Sequence, residues 1–339
     1  MDPVTHGLSS YALSRACFPR APRLAVAAIV LVGTLADLDY LSSLFGPTAF
    51  LAAHRTFTHS LAGTLLIAAL VAGIYVLLGR RFEAKLVSAS TILIATLLAA
   101  ALHVALDLCQ SEGVALFWPF RDRRYAADWI AGIDPWILGI LLAATLFPAL
   151  FGLITEEIGA RSKKSRGRRG AILGLGLIVL YLGIRMTLHA SAVATLSART
   201  YAGESARRAA AFPKPASPFE WLGLVETERA FHELPVNVVP GAIFDPEAGI
   251  TIFKPESSPM LEAASGTEAA ERFLRSARFP KATVERTDTG YRVEFRELAV
   301  PNEANIGRRV EAIVELDSAA KVVSQKLSWD ERERQVWFR

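Results

Sequence analysis

The sequence predicts a mainly α-helical protein, in which a polytopic transmembrane helical bundle of about five or six helices is followed by a soluble α+β domain rich in antiparallel strands. Apolar runs of about 20 residues, the length that a helix needs to cross a bilayer, occur only in the first 194 residues of the 339-residue chain. Basic residues collect in short turns between these runs, as in multi-pass membrane proteins. After about residue 219, short alternating runs bounded by turn residues indicate strands.

Six helices are expected in the membrane part, and proline or glycine ends several of them. The first is short for a full crossing, so five crossings would remain if it lay at the membrane surface. The second is expected to end at Gly46-Pro47. The predicted helices are residues 3–18, 24–45, 60–79, 86–108, 134–154 and 170–191.

The basic residues predict the orientation of this bundle. They fill the turns after the first, third and fifth helices, which share one side of the membrane and, by the positive-inside rule, face the cytoplasm. These residues are Arg15, Arg20, Arg23, Arg80, Arg81, Lys85, Arg161, Lys163, Lys164, Arg166, Arg168 and Arg169. Three arginines after the fourth helix, Arg121, Arg123 and Arg124, count against the assignment. It places the carboxyl-terminal domain outside the cytoplasm.

Composition predicts three parts of the chain: a membrane domain over residues 1–194, a Pro-rich linker over 195–218 and a soluble domain over 219–339. One helix is expected in the soluble domain at 266–278, where Ser265 and Glu268 form a capping-box pattern. This domain carries no chemical motif, and its sequence does not identify a protein partner.

The acidic residues and histidines of the membrane part are not scattered. With the predicted topology, all of those near helix ends fall at the face opposite the basic turns. They are Asp2, His6, Asp37, Asp39, His54, His59, His103, Asp107 and Asp134. Ionisable groups at membrane depth are costly, and they usually mark a functional site where they face a partner or a metal. The sequence therefore predicts one polar site at this face.

Spacing indicates which of these residues can act together. His103 and Asp107 are four residues apart, which puts both side chains on one helix face. Asp37 and Asp39 are two apart and would diverge by about 200° on an ideal helix. They can share a site only where the helix ends or unwinds. Otherwise one would bind the metal and the other would hydrogen-bond to a metal ligand.

Histidine and carboxylate without cysteine suit a catalytic divalent metal, with zinc as the first choice and manganese or iron as alternatives. Two metals, or one metal with supporting residues and a general base, would both use this many groups. Asp37 or Asp134 is the candidate general base, although Asp134 also suits a helix N-cap. Arg55 is a candidate to hold an anionic group, or else an interfacial arginine near lipid headgroups.

Several motifs together carry a resemblance to a known family. In chain order they are Asp2-Pro3-Val4-Thr5-His6-Gly7, Asp37-Leu38-Asp39, His54-Arg55-Thr56-Phe57-Thr58-His59-Ser60, His103-Val104-Ala105-Leu106-Asp107, Phe117-Trp118-Pro119-Phe120 and Asp134-Pro135. Over about residues 1–155 the chain resembles the bacterial inner-membrane proteins of the YdjM type, which are predicted membrane-bound metal-dependent hydrolases. The resemblance implies a location in the bacterial inner membrane. It also implies metal binding by His6, Asp37, Asp39, His54, His59, His103 and Asp107, with Asp134 as an addition.

These observations predict a membrane-bound metal-dependent hydrolase whose partner is the lipid bilayer. A site at the extracytoplasmic face suggests a lipid or lipid-linked ester as substrate, and Arg55 favours a phosphoester. A proton- or ion-coupled transporter is an alternative, but it would distribute ionisable residues through the membrane depth. A non-catalytic metal-binding membrane protein is a second alternative. The basic charge lies mainly in inter-helix turns, so no nucleic-acid partner is expected.

Overall fold

The computed structural model of the protein describes residues 1–82, 86–157, 166–299 and 309–330, and for residues 149–157 and 166 it describes the backbone alone. The predicted fold class is confirmed, because helices fill the first part of the chain and antiparallel sheets follow them. Four residues of the predicted basic turns, Lys85, Arg161, Lys163 and Lys164, lie outside the described residues.

All six predicted helical segments are present. Helices α1 to α7 are Pro3–Cys17, Arg23–Leu35, Pro47–Ala53, Leu61–Arg81, Ala89–Leu108, Pro135–Glu157 and Arg166–Ser197. The short α3 is additional, because its seven residues fall in a stretch that sequence periodicity did not distinguish from a loop. The chain divides into two compact units, residues 1–39, 55–121 and 125–185 in the first and residues 40–54, 122–124 and 186–339 in the second.

Within the described residues, four helical segments are long and apolar enough to cross a membrane. They are Arg23–Phe45, Leu61–Arg81, Ala89–Leu108 and Gly167–Ser197. The apolar part Pro135–Pro148 of α6 is shorter. Helix α1 has 15 residues and rises about 22 Å, which is less than the hydrocarbon core of about 30 Å. The first segment is therefore short for a full crossing, as its sequence indicates.

The second predicted helix changes its form where the acidic pair occurs. Helix α2 ends at Leu35, and Ala36–Phe45 continues as a 3-10 helix. A 3-10 helix has about three residues per turn instead of 3.6, so Asp37 and Asp39 diverge differently from the α-helical expectation. A second 3-10 turn, Phe57–His59, leads into α4. Helix α2 thus ends before the acidic pair, which meets the condition for a shared site.

Small residues bring the helices of the first unit close together, as in other membrane bundles. The core of α2, α4 and α5 is rich in alanine, and Ala68, Ala95 and Ala99 are almost completely buried. Gly33 of α2 lies against α1, where an added Cβ atom would stand 1.8 Å from Ser10 Oγ. This close approach brings the backbone of α2 to the site described below.

The second unit contains two four-stranded antiparallel sheets, with strand orders β3-β4-β5-β6 and β10-β9-β8-β7, and the short hairpin β1-β2. Helices α8 (Pro259–Ser265) and α9 (Glu268–Ser276) pack against the second of these sheets. Strands β1 to β10 are Thr200–Tyr201, Glu204–Ser205, Arg208–Pro213, Glu220–Glu226, Ala230–Asn237, Ile250–Phe253, Pro280–Thr287, Gly290–Glu297, Val310–Asp317 and Val322–Trp329.

Two local expectations for the second unit differ from the structure. Residues 195–218, expected as a linker, contain the end of α7 and strands β1 to β3, and Phe212 is fully buried. Prolines obscure the strand pattern, because Pro213 occupies the last position of β3. The expected helix at 266–278 begins instead with Thr267 as its N-cap, whose hydroxyl accepts from Ala270 N, while the hydroxyl of Ser265 donates to Leu261 O.

Candidate metal centre

The polar site is assembled from four elements of the first unit. His6 lies on α1, Asp37 on the 3-10 helix after α2 and His59 at the end of the 3-10 turn before α4. His103 and Asp107 lie one turn apart on α5, and the other ligand candidates surround this pair. All three histidines and Asp107 are at most 2% exposed. The sequence prediction that these groups converge is therefore realised by side chains that are buried inside the bundle.

Four donor atoms face one another at distances that suit a shared cation. Asp107 Oδ2 lies 3.1 Å from His59 Nε2 and 3.3 Å from His103 Nε2. Asp37 Oδ1 lies 3.7 Å and 3.8 Å from the same two nitrogen atoms. Four ligands about 2.0–2.1 Å from a tetrahedral metal stand about 3.3 Å apart. The observed separations agree with this value to within about half an ångström.

Each of these four side chains has a buried atom that lacks a hydrogen bond. Within the described residues, no hydrogen-bond partner is present for His59 Nε2, His103 Nε2, Asp107 Oδ2 or Asp37 Oδ2. A buried polar atom without a partner loses its hydration at a cost of about 1–3 kcal/mol. A divalent cation would satisfy these atoms together, so the residues present fit a metal.

The hydrogen-bond partners of His59 and His103 direct their Nε2 atoms toward the site. His103 Nδ1 lies 2.8 Å from the carbonyl oxygen of Gly33, which only accepts, so Nδ1 carries the proton. His59 Nδ1 lies 3.1 Å from Asp39 Oδ2, and a carboxylate there holds the proton in the same way. Each Nε2 then faces the site, where it can offer a lone pair to a metal that displaces its proton. Histidine ligands of metals usually have such a partner behind them, and here the partners are Gly33 and Asp39.

Asp39 therefore orients the His59 ring through its Nδ1, on the side away from the donor atoms. Its Oδ2 also accepts from Arg55 N and from the Thr58 hydroxyl, each at 2.8 Å. Of the two carboxylates of the acidic pair, Asp37 faces the two Nε2 atoms and Asp39 faces the far side of the His59 ring. The sequence left open which carboxylate of the pair would face the metal and which would orient a ligand, and this geometry favours Asp37 for the first position and Asp39 for the second.

His6 approaches the other oxygen of the central carboxylate. Its Nε2 lies 3.2 Å from Asp107 Oδ1, and its ring stacks on His103 with 3.8 Å between centroids. One set of donor atoms mutually within 4.8 Å consists of His6, Asp37, His103 and Asp107. His59 also belongs to the site, because its Nε2 lies 3.1 Å from Asp107 Oδ2 and Asp39 orients its ring. His6 lies near one oxygen of Asp107, and His59 and His103 lie near the other. Together with Asp37, these groups fit one metal or two.

The electrostatic environment favours a cation. Burial by itself lowers the pKa of His59, but the nearby carboxylates of Asp107, Asp37 and Asp39 outweigh burial and raise this pKa to about 10. The terminal amino group of Met1 also bonds Asp107 Oδ1. A group of carboxylates that binds protons this strongly also binds metal ions, for which the proton is a competitor.

Arg55 lies beside the ligand atoms and is 5% exposed, which does not fit the alternative of an interfacial arginine. Its Nη2 donates to Gln110 Oε1 at 3.2 Å and lies 3.6 Å from Asp107 Oδ1. Its Nε lies 3.1 Å from Glu112 Oε2. Burial opposes the charge, but Glu112, Asp107 and the acidic pair raise the pKa of Arg55 above its ordinary value, so it stays charged.

Two residues predicted for the site have other surroundings. His54 belongs to the second unit, where its ring stacks on Phe50 at 4.5 Å and meets Tyr40 edge-on at 5.7 Å. Asp134 caps α6: its Oδ1 accepts from Trp136 N and Ile137 N, and its Oδ2 accepts from the Tyr181 hydroxyl at 3.0 Å. The ligand role of His54 and the general-base role of Asp134 stay predictions.

The structure adds groups that the sequence analysis did not select. Gln110 joins the metal side to the arginine side, because its Nε2 donates to Asp107 Oδ1 at 2.8 Å and its Oε1 accepts from Arg55. The sequence feature that could have identified Gln110 is its position three residues after Asp107, which permits a contact between the two side chains. Glu112 and Thr58 carried no signal of their own. Neither did the carbonyl of Gly33, since a backbone acceptor is invisible in a sequence.

Comparisons with known proteins identify the family of the helical part of the chain. A profile of the YdjM inner membrane protein family matches residues 1–192, which extends the resemblance beyond the motifs to the end of the helical part. The inner membrane protein YbcI of Escherichia coli (strain K12) is 38% identical over 112 residues, which are 32% of this chain and 60% of that protein's length. No solved structure matches the chain. The chain belongs to the YdjM family of inner membrane proteins.

Proposed function

We propose that this protein is a membrane-bound, metal-dependent hydrolase that acts on a lipid or lipid-linked ester at the extracytoplasmic face of the bacterial inner membrane. The observation that carries the proposal is the convergence of His59 and His103 with Asp107 and Asp37, since one side-chain atom of each, Nε2 or Oδ2, is buried without a hydrogen bond among the described residues. A closed structural zinc site is usually built with cysteine, whereas histidine and carboxylate are typical of catalytic sites.

His59, His103 and Asp107 would hold the metal, with His6 able to join them through the second oxygen of Asp107. A bound divalent metal would lower the pKa of water and polarise the oxygen of the ester. Zinc is the first choice for this ligand set, and manganese or iron would also suit it.

Asp37 is the general base in this proposal. Its side chain is 16% exposed, whereas those of His59, His103 and Asp107 are between 0% and 1% exposed. Asp37 is thus the most exposed of these four side chains, and its Oδ2 is without a hydrogen-bond partner in the described part of the chain. A base must lie within hydrogen-bond reach of the proton that it takes. Asp134, whose oxygens bond α6 and Tyr181, is the weaker candidate.

The extracytoplasmic location rests on the basic turns. Arg80 and Arg81 end α4, and Arg15 lies in the last turn of α1, both at the ends of their helices remote from the site. Under the positive-inside rule those ends face the cytoplasm. A reporter fused after residue 200 would test this, and activity of a cytoplasmic reporter there would reverse the topology.

The first test is the metal content of the detergent-purified protein. Wild type is expected to hold metal in stoichiometric amount, and His103→Ala/Asp107→Ala is expected to lose it while retaining helical content by circular dichroism. The control is His189→Ala/Asp122→Ala, which changes the same residue types away from the metal ligands and should retain the metal. Equal, substoichiometric metal in all three proteins would defeat the proposal. Hydrolysis of esters presented in vesicles would then be compared between wild type and Asp37→Ala.

A further inference from the structure

The backbone of Arg55 is held in a conformation that few residues adopt. Its φ angle is 56°, in the left-handed region that is uncommon for residues other than glycine. Two hydrogen bonds fix it there: Arg55 N donates to Asp39 Oδ2 at 2.8 Å, and Arg55 O accepts from Ala115 N at 3.0 Å. Such strain persists only where the surroundings impose it, and it concentrates at functional sites. Asp39, which orients the ligand His59, thus also orients Arg55.

The guanidinium of Arg55 is only partly satisfied by the protein. Nη2 bonds Gln110, and Nε faces Glu112. Nη1 is buried, and the described residues provide no hydrogen-bond partner for it. A guanidinium has five N–H donors in a fixed planar arrangement, and a buried donor without an acceptor is costly. Nη2 of the same guanidinium is 3.6 Å from Asp107 Oδ1. The donor without a partner, Nη1, therefore belongs to a group that lies next to a proposed metal ligand.

We infer that the site takes a phosphoester, with Arg55 Nη1 donating to a non-bridging oxygen of the phosphoryl group. This inference rests on the proposed function and narrows its substrate from esters in general to phosphoesters. A carboxylic ester is neutral and has one carbonyl oxygen, which a metal alone can polarise. A phosphodiester has two non-bridging oxygens that share a negative charge, and a planar guanidinium beside a metal matches that pair.

The surrounding charges support the same substrate class. Four carboxylates, those of Asp37, Asp39, Asp107 and Glu112, would repel an anion from this site. Arg55 is the permanent cation among the side chains bonded to Asp107, so it supplies the attraction that an anionic substrate needs in addition to a metal. Gln110 is a positioning residue, because its two bonds hold Arg55 at a fixed distance from the ligand Asp107.

Hydrolysis at this site balances with the groups present. The oxygen of water bonds to phosphorus, and the ester P–O bond breaks. Asp37 takes one proton from the water and passes it to the oxygen of the departing alcohol. The products are a phosphate with one fewer ester bond and the free alcohol, with no oxidant or reductant required.

Phosphate binding by the metal-loaded protein tests the inference. Isothermal titration of the detergent-purified protein with inorganic phosphate is the assay, and metal content is measured on each sample. Arg55→Gln is expected to weaken phosphate binding by about tenfold or more, the size of one charge-assisted bond, with metal content unchanged. Arg55→Lys, which keeps the charge beside Asp107 and Glu112, should fold and show a smaller loss. Arg121→Gln, an exposed arginine of the neighbouring loop, should bind phosphate as wild type does.

Glu112→Gln provides a variant that is expected to change binding in the opposite direction. It releases Arg55 Nε from its ion pair and removes a negative charge, so phosphate should bind more tightly by several fold. A purely structural role for the Arg55–Glu112 pair would give no gain. Equal phosphate affinity in wild type, Arg55→Gln and Glu112→Gln, with the metal retained, would overturn the inference and leave the proposed hydrolase intact. A wild type without metal would instead overturn the proposed function.

The source of the phosphate is a separate outcome of the same assay. Phosphatidic acid in mixed micelles is titrated in parallel with inorganic phosphate. Binding that depends on Arg55 and is tighter for the lipid identifies a lipid headgroup as the ligand. Equal Arg55-dependent affinity for both identifies the phosphate group alone, and both results support the phosphoester site.

Discussion

Two buried polar clusters in the membrane part differ in one respect that separates structure from chemistry. Around Asp134, each polar group meets a partner: the carboxylate caps α6 and accepts from Tyr181, while Arg185 Nε donates to Trp129 O at 2.7 Å. Around Asp107, Nε2 of two histidines and one oxygen from each of two carboxylates are buried without hydrogen bonds among the described residues. Both clusters are expensive to bury, but only the second is completed by adding a cation. Burial of charge is therefore a weaker sign of function than burial of charge that the protein leaves unsatisfied.

The largest effect is expected at the centre of the second cluster. Asp107→Ala should abolish stoichiometric metal binding, because Asp107 contacts all three histidines and Arg55. It should also lower the free energy of unfolding by about 3–5 kcal/mol, since Arg55 loses a buried partner. Metal analysis and chemical denaturation measure the two effects. Retention of metal at the wild-type level would remove the distinction between the clusters.

A smaller effect on metal binding is expected at Asp39, which contacts the ligand candidate His59. Asp39→Ala should weaken metal affinity by about 10–100-fold, because His59 loses the acceptor that orients its ring. Metal should still bind at full stoichiometry when it is supplied in excess, in contrast to Asp107→Ala. Competition with a chelator of known affinity measures the shift, with Asp122→Ala as the control. Unchanged affinity would mean that the contact between Asp39 and His59 does not serve the metal.

The first cluster should respond through stability alone. Asp134→Ala removes the N-cap of α6 and the acceptor of Tyr181, so the free energy of unfolding should fall by about 1–3 kcal/mol. Metal content at saturation should stay at the wild-type level. Loss of the metal, or loss of hydrolysis with the fold intact, would instead restore Asp134 to the catalytic role that the sequence suggests.

The smallest effect is expected at His54. His54→Ala should leave the metal in place and lower stability by about 0.5–1.5 kcal/mol, the size of an aromatic stacking contact such as that with Phe50. The comparison with His59→Ala, which should release the metal, separates two histidines that are five residues apart in one motif. Equal metal loss in both variants would show that His54 is a ligand after all.

The sequence predicts much of this arrangement, and for identifiable reasons. Helices of about 20 apolar residues and strands of alternating residues have strong patterns, so the fold class and six helical segments could be read directly. The pairing of His103 with Asp107 follows from helical spacing. The switch from α2 to a 3-10 helix could not be read, because apolar residues continue through Ala36–Phe45 without a proline or glycine.

The orienting groups were beyond the sequence for a different reason. Gly33 contributes a carbonyl oxygen, which every residue possesses, and only the close approach of α2 at that glycine brings it to His103. Glu112 contacts Arg55 across 57 positions of chain, and no local pattern relates the two. His54 and His59 lie in one motif, yet a turn between them separates their surroundings, which composition and spacing do not encode.

Helix α7 has a practical consequence for work on the soluble domain. It runs from Arg166 to Ser197 without a break, and its last turns supply Ala192 and Leu196, which are completely buried in the same core as Trp221. A fragment cloned from residue 195, as the sequence boundary suggests, would lack part of this core and expose the indole. A fragment that begins near residue 186 keeps the last turns of α7, with Ala192 and Leu196, and is the one to express for crystallisation or antibody production.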